Sequence, residues 1–181
     1  MRYIKNMEKL KITKKPESVL KELASAVLSG RIAGGTEVTQ NELAESMEVS
    51  RMPVREALIM LEYHGLAERL ANQHIKIARI DEKYFQEIFE IASFLESSLL
   101  PAENAKTEMD FHRALLEKCE NQFVRRILKT YIDVFIPFAI GAKTHDAQNA
   151  LALLSGSDTE SLEEYFVALG EDAWQRKKKG E

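Results

Sequence analysis

The chain has 181 residues, 45% of them hydrophobic and 30% charged, enough to bury one core or two small ones. Its single cysteine, Cys119, excludes a disulfide framework and any multi-cysteine metal site. No apolar run approaches the roughly 20 residues of a membrane span, and the basic opening MRYIKNMEKLKITKKPES lacks the apolar core of a signal peptide, so a cytoplasmic protein with no membrane partner is expected.

The net charge of −4 divides unevenly. Residues 1–80 carry 13 Lys+Arg against 10 Asp+Glu, and residues 81–181 carry 12 against 19. A basic half beside an acidic half points to different partners. Residues 1–15 are lysine-rich without periodicity and are expected to form a flexible basic arm. From Pro16 the pattern turns helical, with Leu20, Leu23, Ala24 and Val27 spaced along one face and Ser29–Gly30 as a stop. RIAGGTEV, with its glycine pair, is expected as a loop. A short second helix spans about Thr39 to Met47, opened by a Thr39–Glu42 capping box. After the tight connection EVS, a third helix runs from Ser50 to His64, with Val54, Ala57, Leu58 and Leu61 inward. Gly65 followed by Leu66 ends it. LAERLANQHIKIARI gives two short strands around the turn ANQ. Ile75, Ile77 and Arg79 point to one side, and Asn72 is the residue expected to take positive φ.

Residues 81–181 contain only helical periodicity. One segment carries Tyr84, Ile88, Ile91, Ala92, Leu95 and Leu99 and ends at Pro101. A second carries Phe111, Ala114 and Leu115. A third runs from Val124 to Phe135, where Pro137 is expected to kink or end it. A weaker one surrounds residues 150–154. The last holds Leu162, Tyr165, Phe166, Leu169 and Ala173, with Ser157 and Glu160 as its capping pair. The fold class is therefore mainly α: three helices plus a β-hairpin over residues 16–80, then an all-α bundle over residues 81–181.

Two helices joined by a tight turn, the second followed by a hairpin, form a winged helix-turn-helix pattern, in which the second helix enters the DNA major groove by its N-terminal end. VSRMPVREAL, residues 49–58, suits that end. Ser50 is placed to cap the helix, and Pro53 falls in the first turn, where a missing N–H costs little. Arg51 and Arg55, one turn apart and outside the apolar stripe, lie beside the positive end of the helix dipole. That is locally unfavourable unless an external polyanion is present, and either side chain can reach a phosphate or a guanine edge.

QNELAESMEVSRMPVREALIMLEYHGLAERL resembles the helix-turn-helix of the GntR family of bacterial transcription regulators, with its ELA helix, VSR-x-PVREAL recognition helix and L-x-x-x-GL sequel. EIFEIASFLESSLL and DFHRALLEKCENQFVRRIL are similar to helices of the FCD domain of its FadR subfamily, here in shortened form. The resemblance implies DNA contacts at Asn41, Ser50, Arg51, Pro53, Arg55 and the wing tip Ala71–Asn72. Glu48 departs from the family, which places Gly in that turn, where φ > 0 is needed, and His74 departs from it where a wing glycine is common. Many FCD domains hold a divalent metal on a carboxylate and three histidines. Glu108 and His112, four residues apart, occupy two of those positions, but no later histidine falls in register with the others.

A regulator of double-stranded DNA follows as the expectation. It would be a homodimer on a palindromic operator, acting as a repressor that responds to a small-molecule effector. No cofactor is required by this reading. The competing expectations are a metal- or metabolite-sensing bundle and a protein-interaction module reusing the winged helix. No phosphate loop, nucleophile elbow or supported carboxylate pair suggests an enzyme.

Overall fold

The computed structural model describes residues 15–102 and 105–180; nearly all of the expected basic arm lies outside them. The chain divides into two compact units between Ile80 and Asp81.

In the first unit, α1 (Pro16–Leu28) starts with proline, whose missing N–H is one of the orphans of a first turn. It buries Val19, Leu23, Ala24, Ala26, Val27 and Leu28 and packs on α3 (Arg51–Tyr63). Between them, α2 (Gln40–Ser46) opens with the expected capping box: Glu42 N–H donates to Thr39 Oγ1 at 3.2 Å, and Thr39 N–H donates to Glu42 Oε2 at 2.8 Å. Those bonds from Thr39 hold the Glu42 carboxyl below the usual carboxylate range. The α2–α3 turn puts Glu48 at φ +53, the left-handed conformation that favours glycine.

The sheet has three strands rather than the hairpin alone. β1 (Glu37–Val38) pairs antiparallel with β3 (Ile75–Ile77), which also pairs with β2 (Ala67–Arg69), giving the order β1-β3-β2. RIAGGTEV is thus only partly a loop, and a two-residue strand is too short to show alternation. Its glycines allow the approach. A Cβ on Gly34 would stand 2.8 Å from Arg79 Cα and 2.9 Å from the Ala78 carbonyl oxygen, and Gly35 has φ +82. Behind them, Ile77 N–H donates to Thr36 O at 2.9 Å. Gly34→Ala is expected to cost about 1–3 kcal/mol, because both obstructing atoms are backbone. Faster hydrogen exchange at the Ile77 amide would report it.

In the second unit, α4 (Glu82–Ser97) is capped by Asp81, which accepts from Tyr84 N–H at 2.9 Å. Its buried face is Phe85, Phe89, Ala92, Ser93 and Glu96, one position round from the expected stripe, and Ile91 is left 52% exposed. Aromatic packing decides the register: Phe89 stacks on Phe166 and Phe85 on Phe138, with centroids 6.0 and 5.9 Å apart. Periodicity counted over aliphatic residues cannot see that choice. Phe166 lies on α9 (Thr159–Lys179), the helix against which α4 packs.

The other helices are α5 (Glu108–Lys118), α6 (Gln122–Thr130), α7 (Ile136–Ile140) and α8 (Ala147–Gly156). Pro137 does not end the helical run that begins at Gln122. The preceding turn, Tyr131–Phe135, widens to π register, with Ile136 N–H donating to Tyr131 O, and α7 follows directly. A π turn absorbs the missing proline donor. Ser157 does not cap α9: it ends α8 in the left-handed conformation, at φ +49. Asp158 takes the capping role, accepting from Ser161 N–H at 2.9 Å. Cys119 is buried. No described helix is long and apolar enough to cross a membrane.

Candidate nucleic-acid interface

The start of α3 is presented by α2. Gln40, at the head of α2, donates from Nε2 to the Arg51 carbonyl at 2.7 Å, and Arg51 Nη1 donates to Asn41 Oδ1 at 3.3 Å. Asn41, Ser50, Arg51 and Arg55 are all exposed. Among the described residues neither guanidinium forms an ion pair with a carboxylate. Two exposed cations therefore stand beside the positive pole of a 13-residue helix.

Ser50 occupies the N-cap position, but its hydroxyl makes no capping bond. This corrects the expected cap and leaves the first-turn N–H groups without a side-chain acceptor. Pro53 is a second correction. It is buried with Val54, Ala57, Leu58 and Leu61, so it shapes and packs the first turn and offers no surface to a ligand. Its ring is apolar and sits on the side of α3 that faces the core.

At the wing, Ala71 and Asn72 are exposed, but Asn72 does not take the positive φ. Gln73 does, at +66, while Asn72 Oδ1 accepts from His74 N–H at 3.0 Å. The Asx turn closed by Asn72 passes the left-handed conformation to the next residue. His74 takes no glycine-like backbone, because φ > 0 in the wing falls on Gln73. One residue escaped the sequence reading: Met52, which follows Arg51 and is 62% exposed. The signal was present, since Met52 falls outside the apolar stripe of α3.

In the second unit, Glu108 and His112 are buried and belong to one continuous polar chain. His112 Nδ1 lies 2.8 and 2.9 Å from the two Glu96 carboxyl oxygens, and its Nε2 lies 2.9 Å from the Tyr165 hydroxyl. Tyr165 donates to Glu108 Oε2 at 3.0 Å. His145 joins Glu108 to Asp172, with Nε2 2.9 Å from Glu108 Oε1 and Nδ1 2.8 Å from Asp172 Oδ2. Thr144 donates to the other Asp172 oxygen. Burial, and the Glu108 charge, raise the Tyr165 hydroxyl well above its ordinary value, which keeps it a donor.

The Tyr165 hydroxyl thus stands between the two donors expected to share a metal, and each donor is committed to hydrogen bonds. Among the described residues no three His, Cys, Asp or Glu side chains are grouped to hold a metal ion. This arrangement does not fit a divalent metal.

Burial alone would lower the pKa of His145, but its bonds to Glu108 and Asp172 and their charges together raise it above the ordinary 6.5. A raised folded value means that His145 stabilises the second unit fully below about pH 6.5, and that this contribution is lost as pH rises through the folded value. Trp174, the single tryptophan, lies in α9 and reports unfolding of this unit. Its urea midpoint is expected to fall between pH 6 and pH 8.5, and His145→Gln is expected to flatten that fall.

Comparison with known proteins bears on the first unit. Residues 15–77 match the family model for bacterial regulatory proteins, gntR family. An uncharacterized HTH-type transcriptional regulator in an unstable DNA locus of Streptomyces ambofaciens is 36% identical over 88 residues, covering 45% of this chain and 36% of that protein. The gluconate operon transcriptional repressor of Bacillus subtilis is 36% identical over 76 residues, covering 42% and 31%. The chain spans about a third of the length of the curated relatives it matches. The solved structure of E. coli McbR/YncC covers 88% of this chain and 95% of its own, with 18% identity and a TM-score of 0.51, a likeness of fold. With its three helices, winged sheet and exposed α3 start, the N-terminal unit is a GntR-type helix-turn-helix domain.

Proposed function

We propose that the chain is a transcription regulator that binds double-stranded DNA through α3 and the wing. It acts as a homodimer on a palindromic operator and represses by occupying promoter DNA. The observation that carries the DNA reading is the pair of exposed guanidinium groups, Arg51 and Arg55, beside a helix N-terminus, with no ion pair to a carboxylate among the described residues. A phosphate backbone supplies the missing negative charge, and the uncapped first-turn N–H groups supply donors to it. The family match supports the same reading, and the repressor among the relatives supports repression.

A two-fold dimer would present its two α3 helices about 34 Å apart, one turn of duplex. Phe94, 76% exposed on α4 beside Ile91, supplies apolar surface suited to a second copy. A small-molecule effector acting through the helical unit rests on its resemblance to FCD domains; it would bias the spacing of the two reading heads.

The test is retention of duplex DNA by the full chain across a salt series. The logarithm of the affinity is expected to fall linearly with the logarithm of salt, with a slope set by the number of phosphates neutralised. Retention that ignores salt, or none at all, overturns the reading and leaves the winged helix as a protein-interaction module. Light scattering on the same sample, with Phe94→Asp as comparison, reads the dimer.

A further inference from the structure

We propose that Met52 reads the 5-methyl group of a thymine in each operator half-site, an inference that rests on the DNA-binding reading above. Met52 is the second residue of α3, directly after Arg51 and three before Arg55. It is 62% exposed and belongs to none of the buried positions of that helix. The N-terminal residues of a recognition helix are those that meet base edges, so this side chain enters the groove beside the two arginines.

The chemistry of the side chain limits what it can recognise there. A thioether has no donor and is only a weak acceptor, so Met52 cannot pair with the polar edge of any base. The one apolar feature that the major groove offers is the thymine methyl. An unbranched, polarizable side chain adapts its shape to such a group. The neighbouring cations fix the register, since each arginine reaches a phosphate or a guanine while the thioether covers a methyl beside them. The other large apolar side chains exposed on this helix are Ile59, Met60 and Tyr63. Ile59 and Tyr63 sit about 10 and 16 Å further along the axis, beyond the turn that meets the bases.

The experiment begins by selecting a bound duplex from a random pool with the full chain. Each thymine of the selected half-site is then replaced by deoxyuridine, which removes only the methyl. At one position per half-site the unmodified chain is expected to bind the deoxyuridine duplex about four-fold more weakly, the loss for one buried methyl. Met52→Ala is expected to bind thymine and deoxyuridine duplexes equally. Met52→Leu is expected to keep the discrimination, and so is Ile59→Ala. Specific, salt-dependent binding with no methyl-sensitive thymine overturns the proposal alone. So does Met52→Ala keeping the full discrimination. Selection that yields no bound duplex overturns the DNA reading itself.

Discussion

Arg55→Ala and Arg51→Ala are each expected to weaken operator binding by about 1–3 kcal/mol per half-site, the range for a lost bidentate or charged base contact, while the thermal unfolding of the protein stays unchanged. Both side chains are exposed, and exposed substitutions away from packing features rarely move stability by more than about 0.5 kcal/mol. The two positions differ in what holds them. Arg51 is steadied by Asn41 at 3.3 Å, whereas Arg55 makes no hydrogen bond or ion pair among the described residues. Binding therefore orders more of Arg55 than of Arg51, and part of the Arg55 contact is offset by that ordering. Arg51→Ala is expected to be the costlier change, and Asn41→Ala to recover a fraction of its effect. Lysine replacements separate the roles. If an arginine meets a phosphate, Lys preserves affinity and the salt slope; if it meets a guanine edge bidentately, Lys loses affinity and sequence preference together. A phosphate contact removed by Ala lowers the salt slope by about one. Equal binding by both alanine variants and the unmodified chain would sink the interface.

Much of the first unit was legible because its signals are local. The Thr39–Glu42 box, the stripe Val54, Ala57, Leu58 and Leu61, and the alternation at Ile75 and Ile77 are each written within a few consecutive residues. Glu48 was legible through the resemblance alone: nothing in a glutamate announces φ +53. The misses share one cause. β1 exists because Gly34 and Gly35 let the chain approach Ala78 and Arg79, a contact far apart in sequence. The resemblance implies a DNA-facing Pro53, but which side of the helix a first-turn proline faces is fixed by packing. The register of α4 was lost for the same reason. A periodicity count treats Glu96 as polar and therefore outward, yet it is fully buried because His112, on another helix, completes it. Of the second unit's polar chain, Glu108 and His112 are legible only through the resemblance to FCD domains, which leaves His145 out of register. Tyr165 and Asp172 read as ordinary positions of a helix, and only the packed bundle joins them.

His112→Ala is expected to destabilise the second unit by about 3 kcal/mol or more, the cost of taking one partner from a fully buried hydrogen-bonded pair and leaving the other unsatisfied in a new cavity. The order of protons along the chain explains why. Tyr165 donates to Glu108, so its oxygen is left to accept from His112 Nε2–H at 2.9 Å. The other ring nitrogen, Nδ1, is left to hydrogen-bond Glu96 across 2.8 Å. The Glu96 side chain is 1% exposed and that of His112 fully buried, so water cannot replace either partner without opening the bundle. Removing the imidazole strands the Glu96 carboxyl and also leaves a cavity walled by Phe111, Tyr165 and Phe166, whose rings lie 5.4 to 5.7 Å from it. Glu96→Met paired with His112→Phe removes both polar partners while keeping volume, and it is expected to recover most of the loss, because the desolvation penalty disappears along with the attraction. Tyr165→Phe is the milder test. It takes one hydroxyl from between two acceptable partners and is expected to cost about 1–3 kcal/mol. Urea unfolding followed by Trp174 fluorescence reads all three in the unit that contains them. A single His112→Ala no less stable than the double variant would mean that the chain of bonds contributes nothing to holding these helices together.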